Sequence, residues 1–312
     1  MPRMIQRASP TILIILIGLL VGVSATLSKL VAISGVPPLL ALFWQVAVAS
    51  TSLLVVLLAG RMRPRIGKTY IVYYLGAGLL GVSVPGVIGY VVLEHISIGF
   101  YSALMTLAPI FTFIVAAFIE KRMLPLNRLV GISIGFVGVS LATAQGLNGN
   151  LSASFWILLA LAGPAVLAFG NVFRSRAYPS GANPNALAAG TLFFQVVLIA
   201  PALLLTGQFR MNPAIDPTAL FAILGIGLIS ALSYALTFEV QRRTDGVGFS
   251  QVGYFATLFG ITFGGVAFGE EISPVFAVSL VFLFVGLAVT NGHLKLPSKH
   301  RSAIASPTAN HS

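Results

Sequence analysis

Long apolar stretches separated by short polar linkers make up most of the sequence. A helix rises ~1.5 Å per residue, so a run of ~20 residues crosses the ~30 Å hydrocarbon core of a bilayer. Several of the linkers contain the helix breakers Gly and Pro. Ten stretches of this kind occur, at residues 11–33, 38–60, 69–94, 98–119, 126–147, 155–177, 185–206, 219–241, 247–269 and 274–294. The pattern predicts an all-α polytopic membrane protein with ten transmembrane helices.

The first apolar stretch shares features with a secretory signal peptide, because Arg3 and Arg7 precede it and residues 23–25 resemble a cleavage site. The apolar region of a signal peptide is only ~7 to 15 residues long. The stretch found here continues to Ile33, a length that suits a membrane-spanning helix better. We therefore expect a retained first helix.

Three short motifs recur in the same order at a spacing of 149 or 150 positions. The paired segments are residues 43–46 with 193–196, 75–79 with 224–228, and 111–121 with 261–271. Chance matches between apolar segments are common, but three in one order at nearly one spacing indicate an internal duplication.

The duplication divides the chain into a first five-helix repeat, residues 1–150, and a second five-helix repeat, residues 151–296. Because five is an odd number, the second repeat enters the membrane upside down relative to the first. Two inverted repeats around a central cavity are typical of alternating-access carriers, although a duplication can also build a simple scaffold. We expect residues 297–312 to form a disordered cytoplasmic tail.

Lys and Arg residues concentrate in alternate linkers. If the N-terminus is cytoplasmic, sixteen of the 18 lie on that side, Arg174 among them, whereas Arg210 lies outside and Lys29 within a helix. Because positively charged loops resist translocation, both termini are predicted to be cytoplasmic. The net charge of +11 does not indicate a nucleic-acid partner, since the basic residues are dispersed along the chain.

Sequence signals for enzymatic chemistry are weak. The chain has no Cys, which excludes disulfides and a thiolate nucleophile. Its four His residues lack metal-ligand spacing, no Gly-x-Ser-x-Gly motif occurs, and the glycines lie within apolar stretches instead of phosphate-binding turns. We expect neither an enzyme nor a cofactor or metal site, and an integral membrane enzyme or an ion channel is the alternative from another class.

Polar residues recur at helical spacing within the predicted helices, where a lipid-facing position would leave them unsatisfied. They should face neighbouring helices, as we favour for Ser and Thr, or a cavity, as we favour for Tyr and Asn. Lys29 either faces the cavity or reaches the headgroups. Gln45 and Gln195 are expected to bond between helices. The candidate substrate-binding residues are Ser24, Ser28, Lys29, Ser83, Tyr90, Asn171, Ser233, Tyr234 and Tyr254.

Prolines inside three predicted helices bear on the mechanism of transport. Pro85, Pro109 and Pro164 each remove a backbone hydrogen bond, so we expect them to mark hinges or static kinks.

All seven acidic residues fall near the ends of predicted helices, whereas carriers driven by protons or sodium commonly keep a carboxylate inside the membrane. Facilitated diffusion is therefore favoured over obligatory proton coupling.

A proline-containing helix that ends in a glutamate and is followed by a glycine-spaced helix recurs, less completely, in the second half. The residues are Ala108, Pro109 and Glu120, then Gly131, Gly135 and Gly138. The arrangement resembles the EamA type of the drug/metabolite transporter superfamily over nearly the whole chain. The resemblance implies ten helices in inverted repeats, with helices 1, 3, 4, 6, 8 and 9 around a central cavity and helices 5 and 10 peripheral. It also implies that Glu120 and Glu270 are the glutamates that end their helices.

The sequence departs from the family pattern at two positions, with Gln45 where many members have an Arg and Phe259 where the first half has Pro109. A narrower resemblance, to bacterial aromatic amino-acid exporters (YddG-like), covers residues 171–174, 183–184 and 190–192. It implies export of aromatic amino acids across the bacterial inner membrane.

The predicted function is that of a membrane carrier exporting small neutral or zwitterionic amphipathic metabolites by alternating access and facilitated diffusion. Net neutrality is expected because the predicted helices hold no deep acid and at most one deep base, Lys29, and burying an unpaired ion is costly. Export of lipophilic drugs or other metabolites by proton antiport is the alternative. The expected partners are the small-molecule substrate and membrane lipid, without nucleic acid, for a monomer or homodimer.

Overall fold

The computed structural model describes residues 8–121, 126–146, 151–208, 216–244, 248–249, 251–290, 292 and 294. These residues are helical or lie in turns and irregular connections, and no strand occurs among them. The helical stretches are α1 Pro10–Ile33, α2 Pro38–Ala59, α3 Lys68–Leu93, α4 Ile98–Glu120, α5 Leu126–Gly146, α6 Leu151–Arg176, α7 Pro184–Thr206, α8 Pro217–Arg243, α9 Val252–Phe268 and α10 Pro274–Thr290. The predicted tail, residues 297–312, lies outside the described residues.

Seven of these helices, α1 to α4 and α6 to α8, are long and apolar enough to cross a membrane. The helices α9 and α10 and the Leu129–Gly138 part of α5 are also apolar but shorter. The prediction of an all-helical polytopic membrane protein is therefore confirmed.

Local sequence signals account for several helix ends. The side chains of Ser9, Asn183 and Asp216 accept hydrogen bonds from backbone amides in the first turns of α1, α7 and α8, and a proline follows each of the three. Gly207 and Gly269, both with φ near +65°, end α7 and α9 in the left-handed conformation that glycine adopts most readily.

The helices α3 and α4 are interrupted near their prolines. In α3 a π-helical turn spans Leu79–Ser83, and Pro85 lies two residues after it. Because Pro85 has no amide hydrogen, the carbonyl of Gly81 lacks its usual helical partner, and it accepts instead from the Tyr234 hydroxyl at 3.3 Å. In α4 the helix breaks at Thr106, three residues before Pro109.

The third proline behaves differently, since α6 continues without interruption through Pro164. The structure thus places two of the three candidate hinges, in α3 and α4, at breaks in the helical backbone. Such breaks are where a helix bends most easily.

The principal helix pairings correspond when the first five helices are exchanged with the last five. The contacts of α1 with α8 and α9 correspond to those of α6 with α3 and α4, and the contact of α2 with α8 corresponds to that of α7 with α3. The pairs α2–α7, α4–α9 and α5–α10 map onto themselves. An internal duplication would produce this correspondence.

The helices α5 and α10 pack mainly against each other. Glycines permit a close approach of the two backbones: a Cβ on Gly131 would lie 2.5 Å from the Thr290 amide, and one on Gly138 would lie 2.8 Å from the Ser279 carbonyl. Small residues that allow such approaches commonly stabilise helix pairs in membranes. The largest group of buried apolar residues lies elsewhere, among α2, α3, α7 and α8.

Candidate functional site

A cavity of about 280 Å³ lies at the centre of the helices and is lined by α1, α2, α3, α4, α6, α8, α9 and Phe249. None of the described residues of α5, α7 or α10 lines it. The walls are mainly apolar, and the polar side chains on them are Ser24, Ser28, Gln45, Tyr90, Tyr101, Asn171, Arg174, Ser230, Ser233, Tyr234 and Thr237. An apolar chamber with a few polar groups is the usual form of a small-molecule site.

Six of the nine candidate substrate-binding residues line this cavity: Ser24, Ser28, Tyr90, Asn171, Ser233 and Tyr234. The other three, Lys29, Ser83 and Tyr254, lie outside its lining. Ser83 donates a hydrogen bond to the Gln195 side chain of α7, and Tyr254 stacks on Phe284 of α10 with 5.8 Å between ring centroids. Among the candidate hinges, Pro85 lines the cavity.

A chain of hydrogen bonds joins three helices at the cavity wall. The Tyr90 hydroxyl of α3 donates to Gln45 Oε1 of α2 at 2.8 Å, and Gln45 Nε2 donates to Ser230 Oγ of α8 at 2.9 Å. Gln195 accepts from Ser83 in the same manner between α7 and α3. Both glutamines therefore bond between helices, as predicted, and Gln45 also presents its amide to the cavity.

Arg174 is buried, with 2% of its surface exposed, and lies on the cavity wall. Its Nη2 donates to Asn171 Oδ1 at 2.7 Å, and its guanidinium carbon lies 5.6 Å from the centroid of the Phe249 ring. A Cβ at position 81 would lie 2.9 Å from Nη1, so Gly81 leaves room for the guanidinium group.

This position corrects the sequence analysis, which counted Arg174 as a charge at the cytoplasmic end of the sixth helix and placed no base other than Lys29 deep in the protein. The difference arises because α6 continues to Arg176 and turns Arg174 inward, three residues after Asn171. That i, i+3 relation to a residue already assigned to the cavity was the available signal.

Lys29 is held by Glu270 at one end of α4. Lys29 Nζ lies 3.2 Å from Glu270 Oε1 and donates to the Ile96 carbonyl at 2.9 Å. The same carboxylate accepts from the amides of Ile98 and Gly99, at 2.8 and 2.9 Å, in the first turn of α4. Amides in the first turn of a helix lack helical partners and favour a negative charge. We call this cluster of Lys29, Glu270 and the two amides the Lys29 clamp.

A second ion pair lies at the opposite end of α4. Glu120, the last residue of that helix, lies 2.7 Å from Arg176 Nη2. Glu120 precedes Glu270 by 150 positions, and Arg176 follows Lys29 by 147, which is close to the spacing of the repeated sequence motifs. At ~1.5 Å per residue, the 23 residues of α4 hold them roughly 33 Å apart.

A second pocket, of about 450 Å³, lies beside Glu270 and includes His95 and Trp156, whose rings stack 3.7 Å apart. We place the functional site in the central cavity because helices of both halves line it and because it carries a buried cation. Among the described residues, no three His, Asp or Glu side chains cluster as a metal site would require.

The model of the EamA-like transporter family matches residues 9–144 and, a second time, residues 154–292. The chain belongs to the EamA-like transporter family. This EamA-like protein is therefore a membrane transporter with several membrane-spanning helices. That the family model matches each half separately agrees with the repeated motifs found in the sequence.

Related proteins carry the same general description. An uncharacterized transporter of Bacillus subtilis (strain 168), YvbV, is 21% identical over 293 residues, which cover 93% of each chain. An uncharacterized transporter of Archaeoglobus fulgidus is 27% identical over 146 residues, 47% of this chain and 52% of its own length. A solved crystal structure matches 88% of this chain with a TM-score of 0.62 at 19% identity, which relates the folds.

Proposed function

We propose that this EamA-like protein is a carrier that exports small amphipathic metabolites, aromatic amino acids first among them, by alternating access. The central cavity carries the proposal. Its volume of about 280 Å³ lies just below the ~300–1,000 Å³ range of ligand sites. The rings of Tyr90 and Tyr234 offer faces on which an aromatic side chain can stack, and hydroxyl and amide groups can hold its polar end. The export direction rests on the family resemblance.

All ten helices cross the membrane in this proposal, as two inverted repeats, residues 1–150 and 151–296, in the bacterial inner membrane. Three observations support it. The family model matches twice, the principal helix pairings of the two halves correspond, and similar ion pairs lie at opposite ends of α4. The helices α9 and α10 have 17 residues each, or ~26 Å. Local thinning of the bilayer can accommodate helices of this length.

Alternating access requires that each end of the cavity open while the other stays closed. The Lys29 clamp ties α1, α4 and the segment after α9 at one end, and the Arg176–Glu120 pair ties α6 to α4 at the other. We propose that these contacts close the two ends in turn, with α3 and α4 bending near Pro85 and Pro109. No carboxylate lines the cavity within the described part of the chain, which favours facilitated diffusion over proton coupling.

Counterflow of phenylalanine and tryptophan into proteoliposomes tests the transport proposal. We expect both labelled amino acids to exchange well above the level of empty liposomes, since they fill the cavity and stack on its tyrosines. Threonine and a lipophilic cation such as tetraphenylphosphonium should exchange at the background level, and an imposed pH gradient should leave the rate unchanged. Tyr254→Phe changes a residue outside the cavity lining, so this variant should exchange phenylalanine and tryptophan as the wild type does. Exchange of threonine or the cation, without phenylalanine or tryptophan, would contradict the assignment.

Alkaline-phosphatase fusions test the inverted arrangement. A fusion after Arg63, between α2 and α3, is expected to be inactive because that loop is cytoplasmic. A fusion after Gly146, at the end of α5, is expected to be active because five helices precede it. Activity after Arg63 would reject the orientation, and equal activity of the two fusions would reject the inversion.

A further inference from the structure

Arg174 is a buried cation that lacks a carboxylate partner among the described residues. Four other cations, by contrast, each pair with a glutamate: Lys29, Arg176, Arg242 and Arg243. Arg174 is also far more buried than Arg176, whose side chain is 46% exposed. A buried charge without a counterion destabilises the empty protein, so its position on the cavity wall calls for a ligand that supplies the missing charge.

The guanidinium group is held in place with donors to spare. Asn171 accepts from Nη2 at 2.7 Å, and Asn171 Nδ2 in turn donates to Thr112 Oγ1 at 3.2 Å. Nε is buried and has no hydrogen-bond partner. A guanidinium group presents its N–H groups as a planar fork that matches two carboxylate oxygens. Arg174 therefore combines a fixed orientation with an unused donor.

We propose that Arg174 binds the carboxylate of the transported molecule, so that the substrates are amphipathic compounds with one carboxylate. The inference rests on the proposed transport function and refines its substrate class. Arg174 is the one charged side chain among the described residues on the cavity wall, and the carboxylate of a simple monocarboxylate neutralises it. When the ligand is an amino acid, the hydroxyl and amide oxygens of the wall accept from its ammonium group. A phosphate monoester would leave excess negative charge in an apolar chamber, where unpaired charge is costly. The substrate's apolar part then occupies the remaining apolar wall.

Thermal-shift and competition measurements with a series of phenylalanine analogues test the proposal. The probes are 3-phenylpropionate and phenylalanine, which carry a carboxylate, and phenylalaninol, which does not. The first two should raise the Tm of the purified protein, since a ligand that binds the native state stabilises it. Phenylalaninol should leave the Tm unchanged. Arg174→Gln should weaken binding of both carboxylates by about 10- to 100-fold.

Arg174→Lys and Lys68→Gln complete the set. The lysine variant keeps the charge but loses the planar fork, so its response should fall between those of the wild type and Arg174→Gln. Lys68 is exposed at the start of α3, and its substitution should leave the response unchanged. Without ligand, Arg174→Gln should unfold at a Tm no lower than the wild type, because it removes a buried, unpaired charge. If that variant does not fold, the comparison of analogues on the wild type and Arg174→Lys decides.

The outcomes separate this inference from the transport proposal. If phenylalanine exchanges in proteoliposomes but phenylalaninol binds equally well, the carboxylate site is wrong and the carrier proposal stands. If the carboxylates stabilise the wild type but not Arg174→Gln, the site is supported even where phenylalanine does not exchange. An unchanged response of Arg174→Gln to both carboxylates would overturn the inference.

Discussion

Glu270→Gln is expected to lower the exchange rate about tenfold or more by releasing the Lys29 clamp. A glutamine oxygen can still accept from the amides of Ile98 and Gly99, but it cannot balance the charge of Lys29. Hydrogen bonds to charged groups contribute ~1.5–3 kcal/mol each, and 1.4 kcal/mol corresponds to a factor of ten. Without its charged partner, Lys29 keeps only the hydrogen bond to the Ile96 carbonyl, so this end of the cavity should open more often.

Cysteine accessibility measures the opening directly and does not depend on knowing the substrate. The chain contains no Cys, so Ser28→Cys introduces a single reactive thiol on the cavity wall, next to Lys29. A membrane-impermeant thiol reagent added from the outside should label this thiol about tenfold faster when Glu270→Gln is also present than when Glu270 is intact. Glu271→Gln serves as the control, because it removes an exposed neighbouring charge. Equal labelling rates with and without the Glu270 substitution would show that the clamp does not close this end.

Exchanging the two charges distinguishes the clamp from a simple ion pair. The double variant Lys29→Glu, Glu270→Lys keeps both charges but turns an ammonium group toward the first-turn amides of α4. Those amides favour a carboxylate, so the exchange should not restore closure. Recovery of the wild-type labelling rate would mean that charge attraction alone holds this end.

Gly286→Ala is expected to lower the Tm by about 5–10 °C, since overpacking costs ~1–3 kcal/mol and each kcal/mol shifts the Tm by a few degrees. A Cβ there would overlap the Gly135 amide and would lie 2.6 Å from the Gly131 carbonyl oxygen. Both are backbone atoms of α5, which cannot move aside without separating the two helices. Differential scanning fluorimetry of detergent-purified protein measures the change.

Gly225→Ala is the matched control, because it makes the same chemical change in α8 where space is available. The nearest atom to a Cβ at position 225 would be Leu27 Cδ1, at 3.6 Å. Ala favours the helix over Gly by ~1 kcal/mol, so this variant should unfold at the wild-type Tm or slightly above it. A similar Tm for both variants would contradict the close packing of α5 and α10.

The ten helical stretches could be predicted from the sequence because the lengths of the apolar runs and the breakers between them depend on local residues alone. The predicted first helix, residues 11–33, nearly coincides with Pro10–Ile33. The rotation of each helix about its axis could not be predicted with the same success. Most of these helices are apolar on all sides, so periodicity does not show which face meets a neighbour and which meets the cavity.

Ser83 and Tyr254 illustrate the difficulty, because helical spacing put both on polar faces, yet one bonds to α7 and the other packs against α10. Lys29 was assigned to the cavity or the headgroups, and its partner Glu270 lies 241 residues away. Arg174 was placed among loop charges because Gly81 and Phe249, which make room for it and contact it, are distant in the chain. Each of these contacts depends on the tertiary arrangement.

The correspondence between the helix pairings of the two halves bears on the relative free energies of the inward-open and outward-open conformations. If the contacts that break at one end of the cavity correspond to those that form at the other, the two conformations contain nearly the same set of interactions. Their free energies then differ only through residues that are not repeated, and neither conformation dominates by a large factor. The solute gradient alone would set the direction of net flux, so the protein would act as an overflow valve that empties the cell when a metabolite accumulates.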